Sequence, residues 1–258
     1  MLRNIAIMRR LLLLFTLLVA NAMVATAQFE EREVRVPDEN DVIHQTISTS
    51  SPYYYTNLML KYVNGDEPLT PDEYFYLYYG FVYQEDYSPF KENPALDRML
   101  AVMTGINPDE PTVGQLEALV ENGVAALEVD PFNPKVLNMM AYAYGALDDP
   151  KREQLYYNHL NGILSTIESS GTGQKEESRW HVLMFSHAYD LLASKGYAYN
   201  ESRIISRDAM FIPLTRKQGR TKGFYFDYSR IYRNKPDDVT FKRDRTWQFN
   251  NLKPREYK

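Results

Sequence analysis

Residues 130–145 read Asp130-Pro-Phe-Asn-Pro-Lys-Val-Leu-Asn-Met-Met-Ala-Tyr-Ala-Tyr-Gly145. Asn133 followed by Pro134 marks a helix start. A short polar side chain caps the free N–H groups there, and proline lacks an N–H that would have no partner at the first helical position. Leu137, Met140, Ala141 and Tyr144 then recur at i, i+3, i+4 spacing, which is one face of a helix. The same start is spelled at Ser51-Pro52, Thr70-Pro71, Asn93-Pro94 and Asp149-Pro150. Thr70 with Glu73, and Thr112 with Gln115, add capping-box spacing, in which cap and third residue bond each other's backbone N–H.

Apolar stripes flank this stretch on both sides. Leu116, Leu119, Val120, Gly123, Val124 and Leu127 form one; Tyr156, Leu160, Ile163, Leu164 and Ile167 another; Trp180, Leu183, Met184, His187, Ala188 and Leu191 a third. Residues 112–194 therefore read as two antiparallel helix pairs, broken by turns at Asp148-Asp149-Pro150 and Ser169-Ser-Gly-Thr-Gly173. The centre resembles a tetratricopeptide-type repeat, on Asp130-Pro131, Asn133-Pro134, Leu137, Ala141, Tyr144, Gly145, Tyr157 and Leu160. Arrays of such repeats need three or more units. One unit is legible, so the reading is helical hairpins rather than a solenoid.

Beyond residue 200 the texture changes. Phe224, Phe226 and Tyr228 alternate with polar or half-polar neighbours, a strand pattern. Ala209–Leu214 is a second strand, placed towards an edge because Pro213 cannot donate to a ladder. Val239–Phe241 and Thr246–Phe249 are weaker ones, and residues 28–36 alternate loosely. Charge divides at the same place. Residues 28–200 carry 11 basic and 27 acidic side chains; residues 201–258 carry 15 basic and 7 acidic. The expected fold is mainly α with a small C-terminal β part: tetratricopeptide-like antiparallel helical hairpins over 28–200, with a basic antiparallel meander over 201–258 packed on them. That basic segment reads first as internal neutralisation of an acidic body, and second as a patch for an anionic partner.

Residues 1–27 read as a cleaved secretory signal: Arg3, Arg9 and Arg10, then the apolar run Leu11–Ala20, then Ala25-Thr26-Ala27 as a small-x-small cleavage site. The mature chain is expected to begin near Gln28 and to be periplasmic or secreted. Cysteine is absent, which excludes disulfides, thiol chemistry and lipidation at the cleavage point. No other segment is long and apolar enough to span a bilayer. Stable membrane insertion after cleavage is therefore not expected, and export argues against a nucleic-acid partner.

Motifs for chemistry are sparse. Ser169–Lys175 lacks phosphate-loop spacing. His181 and His187 stand six apart, on different faces of a helix, so they do not form a metal pair; His187 reads as a core histidine and His181 as a surface one. No cofactor or metal site is expected. The strongest oddity is aromatic: nine rings lie between Tyr74 and Phe90. Tyr74, Leu77, Tyr78 and Phe81 make the buried stripe, which leaves Phe75, Tyr76, Tyr79 and Tyr83 on other faces. They are either covered by neighbouring elements or free to stack on a ligand.

Leu69-Thr-Pro-Asp-Glu-Tyr74, Leu77-Tyr-Tyr-Gly80 and Tyr87-Ser-Pro-Phe90 resemble the opening of a domain-of-unknown-function family of exported Gram-negative bacterial proteins. Ile167–Gly173 and Gly223-Phe-Tyr-Phe-Asp227 fit its later parts, for a match over about residues 45–230. The resemblance implies export and a helical body with a late β segment, and supplies no catalytic residues. The leading functional expectation is a non-catalytic binding or scaffold protein of the cell envelope, with an envelope protein or glycan as partner. Its ligand surface would be the aromatic helix, through Tyr76, Tyr79 and Tyr83, or the groove between the repeat-like helix pairs, with Arg216, Lys217 and Arg220 as a basic rim. The rival is a hydrolase of envelope polymers acting through carboxylates or through His181 and His187.

Overall fold

The computed structural model describes residues 34–107 and 110–235. Residues 1–27, most of the 28–36 stretch, and the weak strands at 239–241 and 246–249 lie outside the described residues. Within them the chain forms nine α-helices and a four-stranded sheet. The helices are α1 (Glu39–Ile47), α2 (Tyr55–Asn64), α3 (Pro71–Gly80), α4 (Pro94–Thr104), α5 (Val113–Val129), α6 (Pro134–Ala146), α7 (Pro150–Ser169), α8 (Phe185–Ser194) and α9 (Ser229–Arg233). The strands are β1 (Trp180–His181), β2 (Arg203–Ile204), β3 (Ala209–Gln218) and β4 (Thr221–Asp227).

Four of the five proline starts hold. Pro71, Pro94, Pro134 and Pro150 each open a helix behind a side-chain cap. Both capping boxes form, Thr70 with Glu73 and Thr112 with Gln115. Ser51-Pro52 does not start a helix. The Ser51 hydroxyl instead donates to Gln45 Oε1 and accepts from the Tyr53 N–H, a turn that delays α2 to Tyr55. Helices α4 to α7 pack in sequence on one another, α6 and α7 most extensively. Three residues join α6 to α7. Asp148 takes the left-handed conformation at φ +60°, and the Asp149 N–H returns to the Tyr144 carbonyl. A connection that short forces an antiparallel hairpin.

The stripe at residues 180–191 is only partly helical. Trp180–His181 is a strand, and α8 begins at Phe185. Trp180 is drawn into the sheet because its ring stacks on Phe224 at 4.8 Å and its indole N–H donates to the Gly171 carbonyl. The sheet order is β1-β4-β3-β2. Strands β2, β3 and β4 make the expected antiparallel meander, and β1 joins β4 in parallel, so the sheet is mixed. Strand β3 is interior rather than an edge. Pro213 is tolerated opposite Gly223, where the register then shifts and a Cβ would meet the Ile212 carbonyl at 2.4 Å. Strands β3 and β4 continue to a tight turn at Gly219-Arg220.

The core has two clusters. One joins α1–α3, α7, α8 and the inner face of the sheet. The other is enclosed by α4, α5 and α6. The aromatic helix α3 runs through the first, with Tyr74 to Tyr79 all buried. Such a helix, apolar on every face, belongs inside a multi-layer body.

Candidate functional site

Helices α6, α7 and α8 leave a groove of about 570 Å³ between them. Its side chains come from the outward positions of each helix. Helix α6 gives Lys135 and Asn138, α7 gives Asn161, Ser165 and Glu168, and α8 gives Asp190 and Ser194, with Lys195 just beyond its end. These are i, i+3, i+4 and i+7 neighbours, so each helix presents a coherent row. The charges come in pairs. Lys195 Nζ lies 2.8 Å from Glu168 Oε1, and Lys135 Nζ lies 3.5 Å from Asp190 Oδ1.

Asp190 is the unusual member. It is 7% exposed, and its Oδ2 is enclosed with no hydrogen-bond partner among the described residues. Burial raises its pKa; Lys135 and His187 oppose that in part. It shares its face of α8 with the buried His187, three residues earlier, and with Ser194, four residues on. The sequence shows the i, i+3 spacing of His187 and Asp190, which by itself does not locate the groove. A second groove, of about 530 Å³, lies across α7 and is lined by Arg35, Tyr74 and Phe75. Asn161 and Ser165 face both.

Beneath the grooves lie two buried histidine networks. His187 Nε2 donates to Asp130 Oδ2 at 3.0 Å, and its Nδ1 accepts from the Tyr78 hydroxyl at 2.8 Å. The Leu183 N–H completes Tyr78, and Asn133 holds Asp130. His159 Nε2 donates to the Tyr62 carbonyl and its Nδ1 accepts from Tyr74, both at 2.9 Å. Burial pushes the His159 pKa down to about 4. These tautomers follow from the partners, since a carbonyl or carboxylate can only accept.

His181 belongs to a third network and is not the surface residue expected. Its side chain is 14% exposed, and its Nδ1 accepts from Arg230 at 3.1 Å and lies 3.6 Å from Asp227. Burial, with Arg230 and Arg179 adding to it, lowers its pKa to about 4 against the pull of Asp227. His181 and His187 thus share no partner, and neither lines the two grooves. Among the described residues, no group of three or more acids and histidines is placed to hold a metal ion.

The sequence-predicted site residues fall in two separate places. The Tyr76 hydroxyl donates to Asp41 at 2.8 Å, and its ring stacks on Tyr53. Tyr79 has no exposed surface, and its hydroxyl donates to the His181 carbonyl at 3.1 Å. Tyr83 is half-buried against the same core. Arg216, Lys217 and Arg220 are exposed at the β3–β4 hairpin. Arg216 lines its own groove of about 420 Å³ with Tyr197 and Leu214, and none of the three tyrosines lines it. The other surface singled out, the groove between the repeat-like pairs, is the one between α6, α7 and α8.

No curated protein and no solved structure matches the chain. Residues 41–236, well over half of its length, match the family described as Domain of unknown function (DUF4919), and the chain belongs to that family.

Proposed function

We propose that this chain is an exported, non-catalytic binding protein of the cell envelope that takes a short polar chain in the groove between α6, α7 and α8. The observation that carries the reading is the groove itself: about 570 Å³, within the range of small-ligand sites, with amides, hydroxyls and paired charges set among the apolar Leu160, Leu164 and Ala193 on three helices. Sites on helices hold their side chains more precisely than sites on loops. Export is supported by the signal-like residues 1–27, and the periplasm or the medium is the compartment that follows. The two histidines of the hydrolase reading are engaged in separate buried networks, which favours binding over catalysis.

A plug tests it. Ser165 is exposed on α7 at the junction of both grooves. The wild-type chain is expected to gain thermal stability when mixed with the low-molecular-weight fraction of an envelope extract, as any ligand specific for the folded state requires. Ser165→Trp should keep the unliganded melting point and lose that gain. An equal gain in both proteins places binding elsewhere; no gain in either removes the binding reading.

A further inference from the structure

We infer that the ligand of the α6–α7–α8 groove is a short peptide with a free amino group, and that Asp190 is the residue that receives the ammonium. The inference rests on the groove being a binding site, as proposed above, and adds the chemistry of what it takes.

Four observations point the same way. First, Asp190 is an enclosed carboxylate with an unfilled acceptor, its Oδ2 having no donor among the described residues. Buried polar groups are nearly always satisfied, and the other oxygen, Oδ1, is met by Lys135 only at 3.5 Å, so this acid in the groove wall is short of donors. Second, the groove pairs each acid with a lysine, Asp190 with Lys135 and Glu168 with Lys195. A polyanion would face two carboxylates and a polycation two ammonium groups. A molecule carrying one charge of each sign meets neither penalty. Third, Asn138 and Asn161 line the groove, and each side-chain amide both donates and accepts, as a peptide unit does. Fourth, no aromatic ring lines this groove, so a sugar ring finds no stacking platform there.

The exchange needs little movement. Lys135 is 48% exposed on its side chain and sits 3.5 Å from Asp190 Oδ1, so it can swing outward. A ligand ammonium then takes its place at Asp190 Oδ1. The released Lys135 becomes available to the ligand's carboxylate. No covalent bond is made or broken.

The test uses the full chain, labelled with nitrogen-15, and three probes: unblocked trialanine, N-acetyl-trialanine and chitotriose. Trialanine is expected to shift the amide resonances of residues 135–138 and 190–195. Acetylation should weaken it at least about tenfold, the loss of one charge-assisted contact. Asp190→Asn, close in shape, should show the same weakening; the acetylated probe gives the answer on the wild type should that variant not fold. Equal binding of the blocked and unblocked peptides, or groove shifts with chitotriose alone, overturns the amine assignment and leaves the binding site standing. No groove shift with any probe overturns both.

Discussion

His159 sits as a neutral ring between the Tyr62 carbonyl and the Tyr74 hydroxyl, and this ties stability to pH. Its folded pKa is lowered to about 4, against about 6.5 in an unfolded chain. Between those values the unfolded state binds a proton and the folded state does not. Stability is therefore full above pH 6.5 and falls as pH drops towards 4, by about 3 kcal/mol for this group. Urea midpoints measured across that window should fall, and His159→Gln should flatten the slope by up to about one proton. An unchanged slope would contradict the neutral ring. Gly162 meets the same tyrosine from α7: a Cβ there would lie 2.5 Å from the Tyr74 ring. Alanine gains about 1 kcal/mol in helix propensity, while overpacking costs about 1–3 kcal/mol, and Tyr74 cannot swing away without leaving His159. Gly162→Ala should lower the unfolding midpoint. A raised midpoint would show that the ring gives way.

Between elements, Tyr78 ties α3 to α8 and to the segment between β1 and α8. Its hydroxyl bonds His187 Nδ1 and accepts the Leu183 N–H, both buried. Tyr78→Phe keeps the ring and leaves both groups without a partner, at a cost of about 1–3 kcal/mol each. A loss under about 0.5 kcal/mol in equilibrium unfolding would mean that the hydroxyl is not the tie described. The helices were legible because their starts are local: a cap, a proline and a stripe lie within one turn, and Thr70, Asn93, Asn133 and Asp149 all act as read. Trp180 was not, because what makes it a strand is Phe224, far along the chain, and a helical stripe of apolar residues is indistinguishable from a strand entering a core. Strand β3 was misplaced for a like reason, since a proline's tolerance depends on the glycine across from it.

For the whole molecule, the aromatic surplus is structural. Tyr76 and Tyr79 lie on faces away from the Tyr74–Tyr78 stripe, as their spacing requires, but α1 and β1 cover them. Only the tertiary arrangement decides between covered and free. The candidate site shows the same limit: Lys135, Asn161 and Asp190 stand on three helices, and no spacing rule joins them. Asp190 carried only its i, i+3 spacing from His187, which says nothing of the other two helices. The family match over 41–236 agrees with the resemblance read from α3 and β4, while export and the envelope remain part of the proposal. The most direct measurement is a hydrogen-exchange footprint of the full chain with and without the low-molecular-weight envelope fraction. Added protection confined to residues 135–138, 160–168 and 190–195 is the predicted result. Protection at the β3–β4 hairpin instead, or none anywhere, would contradict the assignment of the α6–α7–α8 groove as the binding site.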